Sequence, residues 1–269
     1  MYGKICEATC PHDGNLSSAA EEESTSHDMR IAVLSDIHGN LTAFAAVLAD
    51  IRQTSPDVVL HGGDLAAMGS SPVEIVDQIR DLGWEGVMGN VDEMLVRPNS
   101  LEDFASQSSA SPTMWAVIRE IALSTRASLG DARLAWLGEL PLVVSKPGFA
   151  LVHASPGDCW RTPSGEATDA ELESIYGSLG EAIVAFGHTH RPSIHRMAGL
   201  PELLINTGSV GLPYDGDPRA SYLLLDDGTP SIRRVEYNIE KELKALLSSD
   251  LPGAEWTAKM LRTSSPQMP

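Results

Sequence analysis

The sequence predicts an α/β protein in which two β-sheets pack together with helices outside them. Two observations predict it. From Met29 onward, short wholly apolar runs alternate with segments of helical period, the pattern of parallel βαβ units. In the last third, strand-like runs follow one another with only turns between them, as in an antiparallel sheet.

Residues 1–28 stand apart. "SSAAEEESTSHD" is polar, acidic and aperiodic and reads as a disordered tail. Within it, Cys6, Cys10 and His12 have irregular spacing for a metal clip and read as incidental. The functional chain is expected to begin at Met29, directly before the first strand, IAVL (Ile31–Leu34). Leu41, Phe44, Ala45 and Leu48 then fall at i, i+3, i+4 and i+7, the stripe of an amphipathic helix. DVVL at 57–60 is a second buried strand. The helix after it should open with Ser71 as cap, Pro72 in its first turn and Glu74 closing a capping box. GVM at 86–88 is a short third strand. Residues ~93 to ~138 read as mostly helical, with a start at Ser111-Pro112 and Trp115, Ile118, Ile121 and Ala122 as the buried stripe. FALV (Phe149–Val152) and AIVAF at 182–186 are strands, separated by a helix capped by Thr168 with Glu171. SIHRM, ELLI, SYLLL and IRRVEY complete the strand-rich part. The main domain is taken as 29–250, with a terminal helix and frayed tail over 251–269, and no internal repeat is visible.

Composition narrows the function. Hydrophobic residues at 42% and charged residues at 21% are ordinary for a globular protein. A formal net charge of −18 argues against general binding to nucleic acid or anionic membranes, which needs a basic surface. No run approaches the ~20 apolar residues of a membrane span. Three cysteines make no disulfide framework, so a cytoplasmic setting is expected.

The chemistry lies at strand ends. The first strand runs into SDIHGN, which carries Asp36 and His38; the second runs into HGGD, which carries Asp64. GVM leads to GNVDE with Asn90 and Asp92, FALV to His153, and AIVAF to GHTH with His188 and His190. Carboxyl ends of strands are where open α/β sheets keep their ligands. A single such turn is usually structural, but five in one chain make a site. Imidazole with carboxylate suits first-row divalent metals, and seven candidate ligands without a thiolate exceed one structural zinc. Two ions sharing a bridging ligand are the economical solution. Two divalent ions against Asp36 and Asp64 leave a charge of about +2, or about +1 with a bound hydroxide, which attracts an anion such as a phosphate ester.

This set of D-x-H, GGD, GN, a lone histidine and GHTH resembles the calcineurin-like metallophosphoesterase superfamily, from about Met29 to about Tyr237. The resemblance implies a four-layer αββα sandwich with two mixed sheets. It also implies that Asp36, His38 and His190 bind one ion, that Asn90, His153 and His188 bind the other, and that Asp64 bridges them. NTGSVG at 206–211 and DPRASYLLLD at 217–226 look like the closing motifs of its small prokaryotic branch. Many members carry a histidine directly after GN, read as a general acid; here it is Val91, as in small prokaryotic phosphodiesterases, which leaves the role of Asp92 open as a supporting residue.

A dinuclear phosphoesterase, and more narrowly a phosphodiesterase working through a metal-bridging hydroxide, is the expected function. A phosphomonoesterase or protein phosphatase is the alternative within enzymes. A non-catalytic scaffold, like the retromer subunit of this fold, is the alternative outside them. Manganese is the expected metal from the family, with iron, zinc and nickel of overlapping ligand preference. Asn90, Arg161, Ser209 and Arg219 are the expected substrate contacts, the arginines because guanidinium forks phosphate. Trp160 and Tyr214 also flank the site loops. His61, His195 and Cys159 are expected to play no part in the chemistry. The partner is a phosphate-ester substrate, and a homo-oligomer is compatible with the sequence.

Overall fold

The computed structural model describes residues 29–269; the expected tail and the Cys6/Cys10/His12 cluster lie outside them. The chain runs through β1 (Ile31–Leu34), α1 (Leu41–Thr54), β2 (Val58–His61), α2 (Pro72–Leu82) and β3 (Glu85–Gly86). Three helices follow, α3 (Asn90–Val96), α4 (Pro98–Gln107) and α5 (Pro112–Gly138), the last broken at Gly130. Next come β4 (Val143–Lys146), β5 (Phe149–Val152), α6 (Asp169–Tyr176), β6 (Ile183–Phe186), β7 (Ser193–Arg196) and β8 (Leu203–Asn206). The chain closes with β9 (Ala220–Asp226), β10 (Thr229–Val235), α7 (Ile239–Leu247) and α8 (Ala254–Thr263).

The strands form two five-stranded mixed sheets, ordered β10-β9-β1-β2-β3 and β4-β5-β6-β8-β7. In the first, β1, β2 and β3 are parallel and β9 is antiparallel to β1. In the second, β5, β6 and β8 are parallel, with β4 and β7 antiparallel at the two edges. The period-2 alternation of each strand builds the layers. Ile31, Val33, Leu60, Leu151, Ala185 and Ile205 face a core between the sheets. Ala32 and Leu34 face the other way, onto Phe44, Val47 and Ile79 of α1 and α2. Ala150, Val152 and Val184 pack outward against Leu172 and Tyr176 of α6. Two sheets with helices outside each make the αββα sandwich.

Several local readings shift. The strand-rich last third does not make one antiparallel sheet: β9 and β10 join the first sheet, while β7 and β8 join the second, β8 running parallel to β6. The third strand pairs at Glu85 and Gly86, earlier than GVM, because Met88 N–H turns away to the Pro141 carbonyl. β4 was not anticipated. In α1 the buried residues are Ala43, Phe44, Val47 and Ile51, while Ala45 is exposed. Here the β-branched side chains Val47 and Ile51 define the inward stripe. The Thr168/Glu171 capping box forms, whereas Ser71 makes no side-chain cap and its hydroxyl meets Ser70 instead. After β10, α7 and α8 pack through Leu243, Leu246, Met260 and Leu261 onto Leu212, and Trp256 Nε1 donates to the Gln267 carbonyl near the chain end.

Candidate metal centre

The loops after β1 and β2 are zipped together by backbone bonds: Asp36 N–H donates to Gly63, His38 N–H to Asp64 and Gly39 N–H to Leu65, at 2.9–3.0 Å. This extends the parallel pairing past the strand ends and brings Asp36, His38 and Asp64 together. Five of the seven candidate ligands adopt left-handed backbone, with φ of 57° at Asp36, 50° at His38, 54° at Asp64, 64° at His188 and 57° at His190. Residues with a Cβ rarely take that conformation, and strain of this kind clusters at functional sites.

The glycines of the motifs serve close approach more than turning. A Cβ on Gly89 would lie 2.1 Å from Asp64 Oδ1, and one on Gly187 would lie 2.3 Å from Asp36 Oδ2. Each carboxylate thus nestles against the glycine that precedes a ligand of another strand.

The seven side chains fall into two trios with one residue between. In the first, His190 Nε2 is 3.2 Å from Asp36 Oδ1 and 3.1 Å from His38 Nε2. In the second, Asn90 Oδ1 is 3.0 Å from His153 Nε2 and 2.9 Å from His188 Nδ1. Asp64 Oδ2 lies 3.7 Å from His38 Nε2 and 3.5 Å from His153 Nε2, so it faces both. Ligand atoms of Asp36, His38, Asp64 and His190 all lie within 4.8 Å of one another, and all four residues are buried.

Surrounding groups fix these atoms. His153 Nδ1–H donates to the Gly62 carbonyl at 2.7 Å and His190 Nδ1–H to the Leu212 carbonyl at 2.5 Å, which leaves each Nε2 bare in the neutral ring. The Asp36 carboxylate accepts His188 N–H at 3.1 Å, and Asp64 Oδ1 accepts Val91 N–H at 2.8 Å. Asp92 is buried behind them and accepts three amides, from Asp64 at 2.7 Å, Leu65 at 3.0 Å and Gly89 at 3.1 Å. Asn206 Nδ2 holds the loop after β6 by donating to the Gly187 carbonyl and the Thr189 hydroxyl.

The electrostatics fit a cation. Burial, reinforced by His190, pushes the His38 ring down to about 3, and burial with His153 pushes His188 down to about 3, so both are neutral lone-pair donors. Burial alone would raise Asp36, yet the histidines around it, His190 foremost, hold it below the usual carboxylate range. Burial and the charges of Asp36 and Asp92 push Asp64 well up. Burial also raises Asp92, against the pull of its three amide donors. His38 Nδ1 has no partner among the described residues. Bare nitrogens and carboxylate oxygens converging on one volume are a donor set for a divalent metal.

A cavity of about 250 Å³ opens beside this cluster, lined by His38, Asp64, Asn90, His188 and His190 on one side. Of the expected substrate contacts, only Asn90 lines it. Ser209 is fully buried, its hydroxyl donating to the Asp36 carbonyl and accepting Leu212 N–H. Arg161 is exposed, bonded to Asp158 and Gln107, and Arg219 is paired with Asp217. Tyr214 and Trp160 do line the cavity, with Phe104, Trp115 and Trp256, whose wall positions no spacing in the sequence signals. His195, on the edge strand β7, pairs with Asp169 of α6, and His61 is buried with neither ring nitrogen partnered among the described residues. Cys159 is buried beside Glu93, and burial raises its thiol far above the ordinary value.

The model of the calcineurin-like phosphoesterase superfamily domain matches residues 29–229, spanning every residue of this cluster. The chain belongs to that superfamily. An uncharacterized protein of Methanocaldococcus jannaschii, MJ0912, is 33% identical over 252 residues, covering 86% of this chain and 96% of its own. The crystal structure of a metallophosphoesterase from Sphaerobacter thermophilus superposes with a TM-score of 0.72 at 27% identity, covering 88% of this chain and 99% of its own. A symmetrical bis(5′-nucleosyl)-tetraphosphatase of Methylococcus capsulatus is 29% identical over 150 residues, 55% of this chain and 50% of that enzyme. As a calcineurin-like phosphoesterase, the chain is a hydrolase of phosphoric esters by family, and no described helix is long and apolar enough to cross a membrane.

Proposed function

We propose that this calcineurin-like chain is a dinuclear metal-dependent phosphodiesterase. The observation that carries the reading is Asp64 Oδ2, set between His38 Nε2 at 3.7 Å and His153 Nε2 at 3.5 Å, each belonging to a different trio. Asp36, His38 and His190 would hold one divalent ion, Asn90, His153 and His188 the other, and Asp64 both. Manganese is the proposed metal, in a donor set that iron, zinc and nickel also suit. When bound, such ions polarise a phosphoryl oxygen and ease the deprotonation of water at neutral pH.

The chain's own residues position the participants. The Gly62 and Leu212 carbonyls hold His153 and His190 in one tautomer, and Asp92 pins the backbone that carries Asp64. Asn90, half-buried at the cavity edge, presents its amide both to the histidines and to the open volume where a phosphate would sit. Val91 lines the cavity at the position after GN and has no proton to give a departing oxygen. That favours esters whose leaving group is already a stable anion.

The test is metal analysis of purified protein joined to a panel of nitrophenyl and alkyl mono- and diesters. About two divalent ions per chain, activity lost on chelation and restored by manganese, and diesters ahead of monoesters are expected. One ion or none in fully active protein, or activity that survives chelation, would overturn the dinuclear reading; monoesters ahead would overturn the diesterase one.

A further inference from the structure

We infer that the cavity beside the metal centre is an aryl pocket, which selects singly charged phosphodiesters carrying a planar apolar group. The inference rests on the phosphodiesterase reading and adds the substrate class to it.

The wall opposite the cluster is aromatic. Phe104 of α4, Trp115 of α5, Trp160 after β5, Tyr214 after β8 and Trp256 of α8 line one volume with Met94. Three of the chain's five tryptophans are therefore gathered here, from elements spread over 150 residues of sequence. Ordinary core packing would bury them, as it buries Phe44, Phe149 and Tyr222; Phe104, Trp160, Tyr214 and Trp256 are instead left half-buried around open space.

These rings are held in place. The Trp160 indole N–H donates to Glu93 at 2.6 Å, and its ring packs on Phe104 at 4.9 Å between centroids. Phe104 in turn meets Trp115 edge-on at 5.9 Å. Tyr214 lies stacked on His190 at 4.4 Å, and its hydroxyl donates to Met260 Sδ. The stack ties the aromatic wall directly to a candidate metal ligand. A wall fixed before binding takes a flat ring at little ordering cost.

Charge sets the other half of the selectivity. Among the described residues no lysine or arginine lines this cavity, and Asp64 is the one acidic side chain that does. The metal centre can neutralise one phosphate; the guanidinium of Arg161 lies over the Phe104 ring at 5.1 Å but is engaged by Asp158 and Gln107 and does not line the cavity. On this inference the resemblance to a bis-nucleosyl tetraphosphatase, over half of that enzyme, does not carry its substrate with it. Trp256 lies beyond residues 29–229 matched by the family model, so α8 adds its share of the wall from outside that match.

The test is calorimetric binding to the manganese-loaded protein, which needs no turnover. Methyl phenylphosphonate and methyl methylphosphonate carry the same charge and the same methyl ester and differ only in the ring. The phenyl compound should bind about 10- to 50-fold tighter, the effect of burying one ring. Phe104→Ala and Trp160→Ala, on separate elements, should each reduce that ratio several-fold while leaving the methyl compound's affinity unchanged. P1,P4-di(adenosine-5′) tetraphosphate should bind no tighter than methyl phenylphosphonate. Equal affinities for the two phosphonates, a ratio untouched by both variants, tenfold tighter tetraphosphate, or no binding of either phosphonate would each overturn the inference. The diesterase reading fails separately, by absence of metal-dependent hydrolysis across the ester panel.

Discussion

The first sheet sends two carboxylates, one histidine and one asparagine into the candidate metal centre, while the second sends three histidines and no acid. The supports differ in the same way. Carboxylates of the first sheet are steadied by amide donors, and rings of the second by carbonyl acceptors. Two of those supports cross over: Asp36 takes the amide of His188, and His153 gives its proton to the carbonyl of Gly62. Both carboxylates thus come from one sheet and three of the four imidazoles from the other, with an apolar layer between the sheets. The asymmetry suggests a division to test on the proposed reading: the first sheet would set how strongly a cation is held and the second where it sits.

The largest effect should come from Asp64→Asn, which removes a charge facing both trios. Metal content should fall for both ions, and kcat/KM by about 10³-fold or more, as expected for losing several kcal/mol of charge stabilisation. A ligand from the second sheet should matter less: His188→Asn, in one trio only, should lower the affinity of one ion and leave the other measurable by stepwise metal titration. Equal loss in the two variants would break the proposed division between the sheets.

Asp92→Asn probes support without touching a ligand. The amide keeps an acceptor but sets an NH₂ against backbone donors, so stability should drop by about 1–3 kcal/mol in denaturant melts. Metal affinity should weaken by about 10–100-fold. Unchanged metal affinity would show that Asp64 is placed without it.

The smallest effect concerns His61, a histidine of the first sheet outside the site. Burial alone lowers its ring to about 4. Below about pH 6.5 the unfolded chain takes up a proton that the folded ring refuses, so stability falls as pH drops from there toward 4, by up to about 1.4 kcal/mol per unit. His61→Leu should flatten that acid limb of the melting-temperature profile by a few degrees. Parallel profiles for the two proteins would mean that the ring finds a partner on protonation.

Legibility from sequence followed locality. Asp36, His38, Asp64, Asn90, His153, His188 and His190 could be picked out because each sits at the end of a short apolar run, a signal carried within a few residues. The strand set was mostly readable for the same reason, while β4 and the sharing of the last four strands between two sheets depend on pairing partners far away. Arg161 and Arg219 looked like phosphate forks, yet Asp158 and Asp217, three and two residues before them, already satisfy them. Ser209 looked accessible in a glycine-rich loop but is used to brace Asp36 and Leu212. Of the aromatic wall, Trp160 and Tyr214 were legible as flanking the site loops, while Phe104, Trp115 and Trp256 come from separate helices and share no period with them.

The left-handed backbone at Asp36, His38, Asp64, His188 and His190 carries a consequence for how such a chain evolves. Each of these residues holds a conformation that glycine would adopt with less strain, by about 1 kcal/mol apiece. On the proposed reading, folding stability and metal binding therefore pull in opposite directions at the same five codons. A lineage released from the need to hydrolyse anything gains a sturdier fold by drifting to glycine or asparagine there, and the hollowed centre it leaves would be a fossil written by thermodynamics more than by chance.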